Sequence, residues 1–174
     1  MMASRPSCPL SCPSQADLDA LARAGVTVMA LIRPEPMQIA RGHMAHDALF
    51  ESHPSGDRWY AFPVSAADDI VFWQKETGKI AIWTGRAFAL GEEIIWDAST
   101  YSFDCALNIF SDPLDWLRAR RDGIVVLDWY RAFDRLRDAP RIAVTEDILP
   151  LYRRHMKPLR TPRLLVIPSG RRAA

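Results

Sequence analysis

The spacing of apolar and polar residues changes along the chain, and the first part of the chain has the spacing of a helix. Leu18 and Leu21 stand at helical spacing within residues 15–24, between an N-capping serine and Gly25. These signals predict a short helix over 15–24. The β-branched run that follows predicts a buried strand at 26–32.

Residues 37–52 fit more than one structure. Their apolar positions form one face of a helix, but Gly42 interrupts that face. Residues 53–57 read His-Pro-Ser-Gly-Asp, a composition typical of a turn.

The middle of the chain, from 58 to 110, has the period of β-strands. Residues 69–74 and 79–84 flank Lys75-Glu76-Thr77-Gly78, which predicts a hairpin with a four-residue loop. Apolar residues occupy both faces of this pair, which indicates a strand pair inside a sheet covered on both sides. Further strands are predicted at 59–62, 88–90, 93–96 and 106–110.

The last third alternates short apolar runs with helical segments, which is typical of a small parallel layer. The predicted order is helix 114–121, strand 124–127, helix 128–138, strand 142–144, a helix to about 156 and a strand at 164–167. The fold class expected is therefore α+β, with a mostly antiparallel central sheet followed by a small β-α-β-α-β layer. Residues 1–13 are expected to form a flexible tail, 14–158 one domain (divisible into 14–110 and 111–158), and 159–174 a basic, Pro-containing C-terminal tail.

The composition of the 174 residues is that of a globular protein, and it excludes a disordered chain or a coiled coil. No apolar run is long enough to span a membrane, and the first residues lack the apolar core of a signal peptide. The three cysteines, an odd number, show no disulfide spacing. These features predict a cytoplasmic protein that does not contact membranes.

Charge is strongly segregated along the chain. Residues 1–60 carry 5 basic and 6 acidic side chains, residues 61–115 carry 3 and 9, and residues 116–174 carry 14 and 6. A basic segment of this kind indicates a surface for nucleic acid or for an acidic protein. The excess of Arg over Lys can also reflect genome composition. The residues expected to bind are Arg118, Arg121, Arg131, Arg135, Arg153, Arg154, Lys157, Arg160 and Arg163.

Two groups of residues suggest metal chemistry. His43, His46 and Asp47 share one face if their segment is helical, and imidazole with carboxylate suits zinc, iron or manganese. A hydrated polar helix end explains the same residues. The second group, Asp128, Glu146 and Asp147, follows two predicted strands, where carboxylates can hold Mg²⁺. Helix capping is the better explanation for the two aspartates, because it needs no further partner.

Three segments between Asp69 and Asp128 carry a resemblance. They read Asp-Ile-Val-Phe-Trp from 69, Trp-Thr-Gly-Arg-Ala-Phe-Ala-Leu-Gly from 83, and Asp-Pro-Leu-Asp-Trp-Leu-Arg-Ala from 112 with Gly-Ile-Val-Val-Leu-Asp from 123. They resemble uncharacterised proteobacterial proteins of phage-like regions, found near replication genes such as those of Toprim-type primases. The resemblance covers about 60 residues and implies a genetic context rather than an activity.

The sequence therefore predicts a non-enzymatic accessory protein of phage or mobile-element type that binds nucleic acid or an acidic protein through its basic last third. No cofactor is expected. One alternative is a metal-dependent phosphoester hydrolase or nuclease that uses either group of metal-ligating residues. Another is a self-associating protein, in which the acidic middle of one subunit meets the basic end of another in a homodimer.

Overall fold

A five-stranded antiparallel sheet dominates the structure, and two small two-stranded sheets follow it. The computed structural model describes residues 8–157. The strands are β1 (Gln38–Met44), β2 (Phe50–Ser52), β3 (Asp57–Val64), β4 (Asp69–Trp73), β5 (Ile80–Ile82), β6 (Ala89–Leu90), β7 (Leu107–Ile109), β8 (Val125–Val126) and β9 (Ile142–Val144). The helices are α1 (Gln15–Arg23), α2 (Val28–Ile32), α3 (Pro113–Arg118), α4 (Ala132–Leu136) and α5 (Leu149–His155). The predicted α+β class is confirmed. Over residues 8–157, no helix has both the length and the apolar character needed to cross a membrane.

The segment after α1 is a helix and not the buried strand predicted at 26–32. At the end of α1 the N–H of Val26 donates to the carbonyl of Leu21 at 3.0 Å, and Gly25 has a φ of 86°. In this Schellman motif the Val26 N–H, which a strand would need for pairing, is already used, and the chain turns directly into α2. The β-branched residues therefore have no neighbouring strand to pair with, and their intrinsic preference does not decide the outcome.

Residues 37–52 contain the antiparallel strands β1 and β2, so the helical interpretation of this segment is wrong. Gly42 is required because the strands are covered by large rings. A Cβ atom at this position would collide with the ring of Phe50 and with the backbone of Glu51. Trp59 lies alongside and donates its indole N–H to the Gly42 carbonyl at 3.1 Å.

The N-terminal segment lies beside β1 from Cys8 onward. Ser11 and Ile39 exchange two backbone hydrogen bonds of 2.9 and 2.8 Å, and Cys8 and Leu10 pack against one apolar face of the sheet. The part of the expected tail at 8–11 is therefore held by the sheet, while residues 1–7 lie outside the described residues.

This packing makes Cys8 the least reactive of the three free thiols. Desolvation raises the pKa of Cys8 from its ordinary value of 9.0 to about 11, whereas Cys12 and Cys105 are exposed. The thiolate is the reactive form, and a thiol of higher pKa gives a more nucleophilic thiolate, so we expect Cys8 to react roughly tenfold more slowly than Cys12 with a disulfide reagent at pH 8. Labelling followed by peptide mass spectrometry would measure each rate. In guanidinium chloride all three should react alike, and equal rates in the native protein would contradict the burial of Cys8.

The hairpin predicted at 69–84 is confirmed as β4 and β5, with both faces of the sheet covered. Its register places Val71 opposite Ile82 and Phe72 opposite Ala81. Val71 belongs to a buried cluster that also contains Trp116 and Leu117, while Phe72 packs on the other face with Phe50 and Trp59. The first cluster thus joins residues of both predicted halves, 14–110 and 111–158.

Of the predicted β-α-β-α-β layer, the described residues contain the first four elements as β8, α4, β9 and α5. β7 pairs in parallel with β9, and a parallel bridge joins Ile109 to Ile124 just before β8. β6 adds an antiparallel pair with β8. The helix predicted at 128–138 divides into a 3₁₀ turn at Trp129–Arg131 and α4. The strand predicted at 164–167 lies outside the described residues.

The strand predicted at 93–96 is wrong, because Glu92–Trp96 form a 3₁₀ helix. Gly91 turns the chain with a φ of 72°. The buried carboxylate of Glu92 then accepts the backbone N–H groups of Phe88 and Ala89 at 2.7 and 3.1 Å. These contacts fold the segment back on β6 and prevent it from extending as a strand.

Candidate nucleic-acid interface

Several arginines of the basic last third are used inside the fold. Arg121 is 8% exposed, donates to the Glu35 carbonyl at 2.9 Å, and lies over the rings of Phe62 and Trp116. Burial lowers the pKa of Arg121 from 12.5 to about 10, although the nearby Glu93 and Glu35 oppose this effect. Arg121 is therefore part of the interior.

Arg118 and Arg131 also bind neighbouring parts of the protein. Arg118 donates to the Ala24 carbonyl and to Asp115, each at 2.8 Å. Arg131 donates to Asp128 at 2.9 Å and to the Ala87 carbonyl at 3.0 Å. These bonds occupy the planar donor groups that a phosphate would need.

Arg135 is half-buried and lies beside a small cavity. It lines a cavity of about 140 Å³ together with Phe88, Glu92 and Trp96. Its half-buried side chain is thus associated with the small cavity beside the Glu92–Trp96 turn.

The basic residues in α5 and just after it face solvent and form no ion pair with residues 8–157. Ile148, Tyr152 and Met156 pack against a buried cluster at spacings of four residues, so the opposite side of α5 points outward. Arg153 and Arg154 of α5 and Lys157 just after it are exposed. No carboxylate of residues 8–157 lies within salt-bridge distance of their charged groups. Arg160 and Arg163 lie outside the described residues.

An exposed aromatic residue stands next to α5. Asp128 caps the 3₁₀ turn by accepting the N–H of Tyr130 at 3.0 Å. Tyr130 is 86% exposed, and its ring meets the ring of His155 edge-on at a centroid distance of 5.4 Å. Trp129 lies 6.2 Å from the same imidazole on the buried side. The exposed Tyr130 ring therefore contacts α5 at His155, the residue that follows the exposed Arg154 in the chain. We call Tyr130, Arg153, Arg154, His155 and Lys157 the α5 surface.

Tyr130 is the residue that reasoning from the sequence did not single out. In the helix predicted at 128–138 the apolar face contains Trp129, Phe133 and Leu136, and Tyr130 falls outside it. A large aromatic ring on a polar face is the signal that could have found it.

The carboxylates proposed for metal binding have local roles instead. Asp128 caps a turn and pairs with Arg131. Hydrogen bonds from Thr145 and Ser111 lower the pKa of Asp147, and Glu146 is exposed.

His43, His46 and Asp47 do not share a helical face, because His43 lies in β1 and the other two lie in the turn that follows. His43 contacts Glu51 at 2.9 Å, and Asp47 accepts the N–H of Leu49 at 3.2 Å. Among residues 8–157, no group of three or more His, Cys, Asp or Glu side chains is placed to hold a metal ion.

Comparisons with protein-family models, with curated proteins and with solved structures found no match to this chain. The resemblance to proteins of phage-like regions therefore stays a prediction.

Proposed function

We propose that this protein is a non-enzymatic accessory protein that binds single-stranded nucleic acid through the α5 surface. The observation that carries the proposal is the ring of Tyr130, which is 86% exposed and contacts His155. The neighbouring Arg153 and Arg154 have no acidic partner among residues 8–157. Positive charge with an exposed ring is the combination that single-strand binding uses, since phosphates need cations and unpaired bases stack on aromatic faces.

The charge of the sequence supports the same surface. The chain continues beyond α5 with Arg160, Arg163, Arg171 and Arg172 and with no acidic residue after Asp147. Positive charge therefore accumulates toward this end of the chain, which favours attraction of a polyanion.

Fluorescence anisotropy with single-stranded and double-stranded DNA and RNA of about 20 nucleotides tests the proposal. For three to five phosphate contacts, we expect affinity to fall roughly 20- to 100-fold between about 50 and 200 mM salt. Single strands should bind more tightly than duplexes, because only unpaired bases can stack on Tyr130. Absence of binding at the lower salt concentration would overturn the proposal and favour an acidic protein as the partner.

Replacing Tyr130 with alanine should weaken single-strand binding by about tenfold, within the range of stacking one base on an aromatic ring. Tyr130→Phe should retain the affinity, since the ring and not the hydroxyl does the stacking. The thermal unfolding midpoint should change little in either variant because the side chain is exposed. Equal losses in both variants would contradict a stacking role.

A further inference from the structure

A cavity of about 370 Å³ opens at the edge of the large sheet. At this edge Ile39 of β1 exchanges backbone hydrogen bonds with Ser11, and the Arg41 carbonyl accepts the backbone N–H of His53. The N-terminal segment and the chain leaving β2 thus form two walls, and Arg41 of β1 lies between them with Arg58 of β3. The volume lies within the range of small-molecule sites, roughly 300–1,000 Å³.

Two arginines concentrate positive charge in this cavity. Arg41 and Arg58 are directly opposite each other in the register of β1 and β3, so their side chains share one face of the sheet. Arg58 forms an ion pair with Asp17. Arg41 donates to the Gly56 carbonyl at 3.3 Å, and no carboxylate of residues 8–157 is within salt-bridge distance of it. The pair therefore has one carboxylate for two guanidinium groups.

His53 adds a hydrogen-bonding side chain to the same cavity. Its Nδ1 atom accepts the backbone N–H of Ser55 at 3.3 Å and contacts the Ser55 hydroxyl at 2.9 Å. Because a backbone N–H can only donate, Nδ1 is unprotonated in the neutral ring and Nε2 carries the proton. The hydroxyl groups of Ser11 and Ser52 also line the cavity.

The remaining walls are apolar. Pro9 and Pro54 face the cavity from its two sides, and Ile39 lies on β1 between them. A ligand held here would meet both cationic and apolar side chains. This arrangement suits an amphipathic anion better than a bare inorganic ion.

We propose that this cavity binds a phosphate group carried by a ring-containing ligand of nucleotide size. Arg41 supplies the unpaired guanidinium, which matches the oxygens of a phosphate with two parallel hydrogen bonds. Arg58 and the Nε2–H of His53 complete the set of donors, and the prolines contact the ring. The site does not depend on the α5 surface, because the two share no residue.

Isothermal titration calorimetry with AMP, adenosine and inorganic phosphate tests the site. We expect AMP to bind more tightly than inorganic phosphate and adenosine to bind weakly or not at all, since the guanidinium groups recognise the phosphate. Arg41→Ala should raise the Kd for AMP at least tenfold, while Arg23→Ala, which removes an equal charge outside the cavity, should leave it unchanged. Circular dichroism of Arg41→Ala checks that the fold is retained.

A terminal phosphate can also come from the 5′ end of a nucleic acid. Single-stranded oligonucleotides with and without a 5′-phosphate separate this source from a free nucleotide. A 5′-phosphate preference that disappears in Arg41→Ala, without AMP binding, would assign the site to a strand end and still support phosphate recognition. The proposal is overturned if neither AMP nor the 5′-phosphate binds in an Arg41-dependent manner. The variant in which Arg153, Arg154 and Lys157 are all replaced with alanine should still bind AMP. That result would show that the cavity binds its ligand even where the α5 surface does not bind nucleic acid.

Discussion

Replacing Arg153, Arg154 and Lys157 together with alanine is expected to lower the affinity for single-stranded nucleic acid about 100-fold at 50 mM salt. Arg153 and Arg154 on α5 and Lys157 just after it are exposed and lack carboxylate partners among residues 8–157. Each phosphate contact that is lost no longer releases a counterion, so the slope of log affinity against log salt should fall by about 2. Anisotropy titrations over a range of salt concentrations measure both quantities.

A matched control separates this local effect from a change in net charge. Arg23, Arg33 and Lys79 are also exposed, and none of them belongs to the α5 surface. Replacing these three with alanine removes the same charge and should lower affinity only slightly. Equal losses in the two triple variants would mean that binding depends on overall charge, and the α5 surface would lose its specific role.

Asp69→Ala is expected to lower the free energy of unfolding by about 4 kcal/mol. One carboxylate oxygen of Asp69 accepts the N–H groups of Ile70 and Thr84, both at 2.8 Å. The other accepts those of Arg86 and Ala87 at 2.7 and 2.9 Å. Asp69 is 6% exposed and Ala87 is 1% exposed, so water cannot easily replace these bonds. Urea unfolding followed by circular dichroism would measure the change.

The exposed Glu76, in the loop between β4 and β5, provides the control for this variant. Glu76→Ala removes a carboxylate of the same hairpin and should change stability by less than about 0.5 kcal/mol. A loss of less than about 1 kcal/mol in Asp69→Ala would show that the segment after β5 does not depend on this carboxylate. The loss of stability in Asp69→Asn should fall between those of Asp69→Ala and Glu76→Ala. The asparagine amide keeps one acceptor oxygen, but its NH₂ group would face backbone N–H groups, which are also donors.

Elements with strong local signals were predictable from the sequence. Helix α1 has its N-capping Ser14 and ends at Gly25, and the β4–β5 hairpin has its four-residue loop. Helix α3 begins at Asp112, whose side chain caps it, with a proline at the first position. In each case the residues that decide the structure are neighbours in the chain, so the pattern contains the necessary information.

The errors occur where specific hydrogen bonds, some between near neighbours and some between strands, outweigh the intrinsic preference of a segment. The β-branched segment at 26–32 becomes a helix because the end of α1 uses its backbone donor. The segment at 93–96 becomes a 3₁₀ helix because Glu92 binds the backbone of Phe88 and Ala89. Residues 37–52 form strands because β1 pairs with β3. The spacing of apolar residues within 37–52 carries no information about that pairing.

The same distinction applies to the candidate sites. The sequence by itself determined that positive charge is concentrated in the last third, since composition alone carries that information. Only the tertiary structure decided which arginines remain available: Arg121 is buried by contacts that include Glu35, 86 positions away, whereas Arg153 stays in solvent. The cavity at Arg41 has no sequence signal, because residues 1–60 have nearly balanced charge and its cations meet only through the register of β1 and β3. Burial and pairing register depend on residues far apart in the chain, so the availability of a charged side chain is a property of the fold.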